Sequence, residues 1–161
     1  MKRCVILLIW IALAITGVHS QDIHSTHKKE YSAIFEVGYG KDITYGKEDK
    51  FEFLTSHGIN VTPTLFTGLG FGLEYYKESE ATVIPVYFDM RAKLFNKDYT
   101  PFIGMKIGYS FNDAEGWYLS PSVGYKLNSF HIALGYTLQY IKTKWADLKH
   151  DCISLRLGYS F

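Results

Sequence analysis

The sequence has few of the features that would mark several large classes of protein. It has only two cysteines, Cys4 and Cys152, and Cys4 lies in a segment expected to be removed on export, so a disulfide framework is excluded. The formal net charge is only +1 and no basic block is present, which excludes the electrostatic surface typical of nucleic-acid binding. After residue 20, no apolar run approaches the length of a transmembrane helix. A chain of this kind can enter a membrane only as strands.

Aromatic residues and glycine are abundant instead. The chain contains 13 Tyr, 11 Phe and 14 Gly among its 161 residues. These residue types favour short strands and tight turns over helices. A hydrophobic fraction of 47% with 20% charged residues argues against disorder, and the length suits one domain. We therefore predict a single all-β domain.

The first twenty residues have the pattern of a cleaved signal peptide. Lys2 and Arg3 precede a short apolar run, and Ser20 is a small residue suited to signal peptidase cleavage. The apolar run is short for a membrane-spanning helix. The residues that follow are polar and show no period, as in a flexible leader. The predicted organisation is a signal peptide over 1–20, a leader over 21–29 and a barrel domain over 30–161.

From Tyr31 onward, apolar and small or polar residues alternate with a period of two, which is typical of strands with one apolar face. In the third segment, Leu69 and Phe71 lie on one face and Gly70 and Gly72 on the other. The same alternation defines eight predicted strands, at 31–40, 51–61, 64–76, 82–95, 100–111, 116–127, 130–140 and 152–161.

The connections between these strands favour an up-and-down meander. Longer polar segments at 41–49, 77–81, 112–115 and 143–149 alternate with mostly shorter ones. Pro85 and Pro121 fall inside predicted strands, where each removes a ladder hydrogen bond. We expect β-bulges at these two prolines.

Eight antiparallel strands can close as a soluble ligand-binding barrel or as a membrane barrel, and the two have opposite polarity. Aromatic residues near both ends of the apolar faces, such as Tyr31 and Tyr39, suit the interfacial girdles of a membrane barrel. The opposite faces are rich in glycine, which suits a narrow interior, and Phe161 completes the last apolar face. We predict an eight-stranded antiparallel up-and-down transmembrane β-barrel, with a secreted lipocalin-like carrier as the alternative.

The glycine-rich faces also carry nearly balanced charges. Because unpaired buried charge is costly, such side chains should pair and close the lumen, although a small pore is an alternative. The predicted lumen charge network comprises Glu36, Glu52, Glu74, Asp89, Arg91, Lys93, Lys106, Lys126 and Arg156.

A lipid-modifying enzyme of the outer membrane is the competing functional class. The lipid-facing side offers His57 with Thr55 and Thr67, but neither a serine nor a carboxylate joins them. A nucleophile needs a base, and the base needs an orienting group. His150 and Cys152 are too few to hold a metal. We predict no enzyme activity, catalytic residue, cofactor or metal.

Several segments together carry a resemblance to a known group of proteins. They are 58–63 (GINVTP), 68–73 (GLGFGL), 100–109 (TPFIGMKIGY), 118–125 (YLSPSVGY) and 155–161 (LRLGYSF). They resemble the small bacterial outer-membrane β-barrel proteins of the eight-stranded OmpA and OmpX type, and in particular the outer membrane protein β-barrel domain family. The resemblance extends over the chain from about residue 30.

This resemblance implies an integral protein of the bacterial outer membrane, with outer-membrane lipids and the outer-membrane assembly machinery as partners. Its C-terminal alternation resembles the signal that the assembly machinery recognises, formed here by Leu155, Leu157, Tyr159 and Phe161. We expect a monomer with a structural or surface-interaction role, in which extracellular loops are the possible binding sites.

Overall fold

Eight antiparallel strands close on themselves to form a barrel. The computed structural model describes residues 30–43, 49–113, 115–142 and 147–161, so the predicted signal peptide and leader lie outside the described residues. None of the described segments forms a helix long and apolar enough to cross a membrane. The strands are β1 (Glu30–Asp42), β2 (Lys50–Thr62), β3 (Leu65–Tyr76), β4 (Thr82–Lys93), β5 (Tyr99–Asn112), β6 (Gly116–Leu127), β7 (Phe130–Lys142) and β8 (Asp147–Ser160).

Each strand pairs with its neighbours in sequence, and β1 pairs with β8 to complete the ring. The closing register extends from Ile34 opposite Ser160 to Asp42 opposite Cys152. Closure leaves no sheet edge with unpaired backbone groups, which is the condition for a sheet in hydrocarbon. The predicted all-β, eight-stranded, up-and-down barrel is therefore confirmed.

The two ends of the barrel differ in their connections. The end with segments 43–49, 77–81, 113–115 and 143–146 is called here the loop end. The opposite end carries segments 63–64, 94–98 and 128–129 and the first and last described residues, and is called the turn end.

Strand boundaries agree with the sequence prediction to within two residues except at β8. This strand begins at Asp147 instead of Cys152, because its polar first residues pair with the end of β7, as in the pair of Lys142 with Asp147. Backbone hydrogen bonds do not depend on apolar side chains, so the hairpin extends past the apolar alternation that the prediction used.

The predicted bulges at Pro85 and Pro121 are wrong. Pro85 pairs in register with Ser110 of β5, and Pro121 pairs in register with Met105. In the β3–β4 pairing of Pro85 and the β6–β7 pairing of Pro121, the ladder is interrupted at the proline but resumes in the same register. A proline lacks only its own N–H, so it removes a hydrogen bond without inserting a residue. The register shift lies in the β2–β3 hairpin instead, between Asn60 and Thr62.

The barrel is apolar outside and charged inside. The exposed fractions of Phe71, Val123 and Leu157 on the outer surface are 56%, 58% and 55%, whereas Lys106 and Arg156 are 1% and 0% exposed. A soluble protein has the reverse arrangement. The polarity is that of a membrane barrel and does not fit the lipocalin-like alternative.

The strands are long enough to cross a membrane, and aromatic residues flank the apolar surface. With 12 to 14 residues each, a rise of about 3.3 Å per residue and a tilt of about 40°, they extend about 30 Å along the barrel axis. That exceeds the apolar band of about 25 Å in such barrels. Tyr31 and Tyr99 are exposed at the turn end, and Trp117 and Tyr75 at the loop end. These rings form the girdles predicted from the sequence.

Candidate functional site

The inward-facing residues of β2 show that the barrel interior is layered from the loop end to the turn end. Lys50 and Glu52 come first, Leu54 follows and Ser56 comes last, and all four are buried. Lys50 and Glu52 belong to a loop-side charge cluster, Leu54 to an aromatic layer, and Ser56 contacts a turn-side charge cluster. The interior therefore contains two ionic layers with an apolar layer between them.

The loop-side cluster consists of Lys50, Glu52, Glu74 and Arg156. Lys50 Nζ lies 2.7 Å from Glu74 and 3.3 Å from Glu52, and Arg156 Nε donates to Glu52 at 2.6 Å. Gln139 adds a hydrogen bond to Glu74 at 2.9 Å. All four charged side chains are fully buried, so each depends on its partners in place of water.

Small residues around Arg156 make room for its side chain. Its Nη2 donates to Ser120 at 2.9 Å and to Thr137 at 3.2 Å. A Cβ atom on Gly135 would lie 2.7 Å from Arg156 Cζ, and one on Gly38 would lie 3.0 Å from Arg156 Cγ. The glycines of the inner face therefore provide the space that the large charged side chains occupy.

The aromatic layer consists of Leu54, Tyr87 and Tyr118. These three side chains are at most 2% exposed, and the two tyrosine rings stack with their centroids 5.8 Å apart. The Tyr87 hydroxyl donates to the backbone carbonyl of Thr55 at 3.2 Å. This layer closes the middle of the lumen with packed carbon atoms.

The turn-side cluster is centred on Glu36. Its carboxylate accepts from Lys106 at 2.7 Å and from Arg91 at 2.8 Å, and His131 Nε2 lies 2.9 Å away. Asp89 pairs with the same Arg91 at 2.9 Å. All these side chains are buried. Across both clusters, the ion pairs among described residues join four carboxylates to four Lys or Arg side chains, so the charges of the two clusters balance.

The structure brings together most of the predicted network but leaves out two lysines. Lys93 ends β4 and Lys126 lies one residue before the end of β6, so both are half-buried near the water at the turn end. No ion pair is found for either among the residues that the structure describes. The seven predicted residues that lie in the two clusters are Glu36, Glu52, Glu74, Asp89, Arg91, Lys106 and Arg156.

Lys50 and His131 belong to the clusters but are absent from the predicted network. The predicted second strand excludes Lys50 because the apolar alternation begins at Phe51, although the inward phase of Glu52 continues back to Lys50. His131 has the inward phase of β7, but its membership depends on its contact with Glu36 of β1, which the sequence does not reveal. Extending the two-residue alternation back past Phe51 would have predicted an inward-facing Lys50.

The predicted assembly residues line the outer face of β8 beside the closing seam. Leu155 and Leu157 are exposed, and the rings of Tyr159 and Phe161 lie 4.7 Å apart. The Phe161 backbone N–H donates to Ala33 O at 2.8 Å, which extends the seam past the last residue of β8.

A polar group centred on His57 lies on the outer surface. His57 Nδ1 lies 2.7 Å from the Tyr31 hydroxyl, and Nε2 lies 3.1 Å from Thr55 Oγ1. Thr55 is only 3% exposed, so its hydroxyl is not presented to a substrate. Thr67 lies in register with Ile59 rather than with His57. The arrangement anchors an interfacial histidine, and the Thr55 hydroxyl beside it is not accessible as a nucleophile.

Within the described ranges, no group of three or more His, Cys, Asp or Glu side chains could hold a metal ion. Cys152 is buried beside Tyr76 and Val83 near the loop end. The side chain of His150 lies outside the described residues.

The filled interior predicts that the barrel does not conduct ions. The aromatic layer and the two neutralised clusters occupy a lumen that, at eight strands, is only wide enough for side chains. We expect no steady current from the reconstituted protein in a planar bilayer, measured beside a larger porin as the positive control. Reproducible single-channel steps from the wild-type barrel would show that the lumen opens.

Comparison with known proteins supports the fold. No family model matches the sequence, and neither does any curated protein. Solved structures do match. Neisserial surface protein A is similar with a TM-score of 0.61 and 11% identity, over 83% of this chain and 98% of that chain. This is the fold of the small outer-membrane β-barrels.

Two further structures agree. The outer membrane enzyme PagL matches with a TM-score of 0.59 and 13% identity, over 80% of this chain and 98% of that chain. The N-terminal β-barrel domain of Pseudomonas aeruginosa OprF matches with a TM-score of 0.52 and 14% identity, over 83% of this chain and all of that chain. One of these neighbours is an enzyme and another a surface protein, so the shared fold does not select an activity.

Proposed function

We propose that this protein is an integral barrel of the bacterial outer membrane with a structural or surface-interaction role. The observation that carries the proposal is the polarity of the barrel, in which apolar side chains cover the outside and charged ones fill the inside. Such a surface is stable in hydrocarbon and unstable in water. The signal peptide pattern at residues 1–20 supports export.

Because the middle of the lumen is filled, we place recognition of a partner at the loop end of the monomeric barrel. Charged side chains are exposed at the loop end, in contrast to the apolar outer wall of the barrel. Lys77, Glu78 and Glu80 lie on the β3–β4 connection, and Asp113 follows β5. Segments of this kind vary in sequence without changing the barrel, which suits recognition at a cell surface.

The proposal includes the absence of catalytic activity. It rests on the buried state of Thr55, the hydroxyl nearest His57 Nε2. The lipid-modifying enzyme is the competing proposal, and release of fatty acid or altered lipid in vesicles containing the purified barrel would favour it.

Localisation is the direct test. We expect the protein, expressed in a Gram-negative host, to fractionate with the outer membrane, because only a membrane covers its apolar wall. On a gel, the unboiled form should migrate differently from the boiled form, since a closed barrel resists detergent at room temperature. A soluble periplasmic enzyme serves as the fractionation control, and recovery of the barrel with that enzyme would contradict the proposal.

A further inference from the structure

A polar vestibule opens into the barrel from the turn end. Its volume is about 330 Å³, and Arg91 and His131 of the turn-side cluster reach its inner part. Phe66, Phe102 and Ile34 form apolar parts of its wall. The aromatic layer lies deeper along the barrel than this vestibule, so the vestibule is a closed-ended cavity rather than the mouth of a channel.

Lys93 and Lys126 line this vestibule together. Lys93 is in register with Phe102 of β5, and Lys126 is in register with Thr100 of the same strand. All four residues face the lumen, so the two lysines lie on either side of one short stretch of β5. Neither has an ion-pair partner within the part of the chain that the structure describes, in contrast to Lys106 deeper in the barrel.

Arg91, Phe102 and His131 form the inner part of the vestibule. Arg91 Cζ lies 5.9 Å from the centroid of the Phe102 ring, and the His131 ring meets the same ring edge-on at 5.6 Å. Phe102 therefore holds both groups in place beside the lysines. An apolar wall next to charged groups reduces their screening by water.

The acidic side chains in and beside the vestibule do not neutralise Lys93 and Lys126 by ion pairs among the described residues. Glu36 is already bound to Arg91, Lys106 and His131. Glu30 and Asp98 line the rim and are exposed, so water screens their charges, including the attraction between Asp98 and Lys93. Hydroxyl and amide groups of Ser129, Ser160 and Asn128 are also found at the rim.

We propose that the vestibule is a binding site for a phosphate-like oxyanion, with Lys93 and Lys126 as its principal recognition residues. A tetrahedral oxyanion accepts hydrogen bonds in several directions at once, and lysine binds phosphate as a compact charge on a flexible stem. The cavity volume lies at the lower end of the range for small-molecule sites, which suits a phosphate carried on a small group. Binding in detergent is independent of where the protein resides and of its proposed surface role.

The test is a calorimetric titration of inorganic phosphate into the full-length, refolded protein in a non-ionic detergent. We compare the wild type with a K93Q/K126Q variant and with a matched K41Q/K97Q control, which removes two exposed lysines that do not line the vestibule. Heat-modifiability on a gel verifies that each protein is folded. We expect saturable binding that weakens by at least about tenfold in K93Q/K126Q, since each lysine supplies a charge-assisted contact, and that is unchanged in K41Q/K97Q.

A second arm distinguishes free phosphate from the phosphate of a lipid headgroup. The titration is repeated in nanodiscs of phosphatidylcholine with and without phosphatidylglycerol. If the headgroup reaches the vestibule, phosphatidylglycerol lowers the apparent affinity of the wild type for phosphate, and if it does not, the affinity stays the same. Both results support an oxyanion site and differ only in whether the anion can come from a lipid headgroup. Absence of saturable binding to the wild type, or equal losses in the two lysine variants, would overturn the proposal.

Discussion

Replacing Arg156 by alanine is expected to lower the free energy of unfolding by about 3–5 kcal/mol, the cost typical of breaking a buried ion pair. Arg156 Nε donates to Glu52 at 2.6 Å, and both side chains are 0% exposed. Without the guanidinium, Glu52 and Glu74 share Lys50 alone, which leaves one buried negative charge without compensation. Ser120 and Thr137 lose their contacts to Arg156 as well. Urea unfolding in lipid vesicles, followed by tryptophan fluorescence and by gel mobility, measures the loss.

Two comparison variants separate the loss of charge pairing from other effects. Lys97→Ala removes an exposed cation in the β4–β5 turn and should leave the unfolding midpoint nearly unchanged. The double variant E52Q/R156M removes both partners and should destabilise less than Arg156→Ala, because no unpaired charge is buried. If Arg156→Ala unfolds at the same urea concentration as the wild type, the interior does not depend on this cluster.

Deleting Phe161 is expected to reduce outer-membrane assembly several-fold. Its backbone N–H bonds to Ala33 and its backbone carbonyl accepts from Ser32 Oγ at 2.9 Å, so it extends the β1–β8 seam. Its ring packs against Phe35 and Tyr159 while remaining 71% exposed toward the membrane. We propose that the assembly machinery recognises this residue together with Leu155, Leu157 and Tyr159. The heat-modifiable fraction in isolated outer membranes measures assembly.

Two comparison variants test whether assembly requires an aromatic ring at position 161. Phe161→Tyr keeps an aromatic ring and the backbone contacts, so its assembly should resemble that of the wild type. Phe95→Ala removes an exposed aromatic residue from a turn at the same end of the barrel and should assemble normally. Normal assembly of the chain that lacks Phe161 would show that neither recognition nor the seam requires this residue.

The sequence alone was sufficient to predict the fold class, the number of strands and the polarity of the barrel. A period of two is a local property, and every strand has its outward and inward residues within a few positions of one another. Leu155 and Arg156, for example, are neighbours whose opposite environments follow directly from the pleat. The same local reasoning overestimated the effect of Pro85, because its consequence depends on which neighbouring strand would have used the missing N–H.

Only the tertiary structure decided which inward charges pair. Glu36 of β1 joins Arg91, Lys106 and His131 from β4, β5 and β7, and no sequence spacing encodes those distances. Closure of the ring places all inner faces around one axis, so the depth of each charge along that axis selects its partners. Lys93 shares the inward phase of Arg91 but lies closer to the water, and it stays outside the cluster for that reason. Alternation along the chain determines the face of a residue, whereas strand stagger determines its depth, and depth sets both its solvation and its partners.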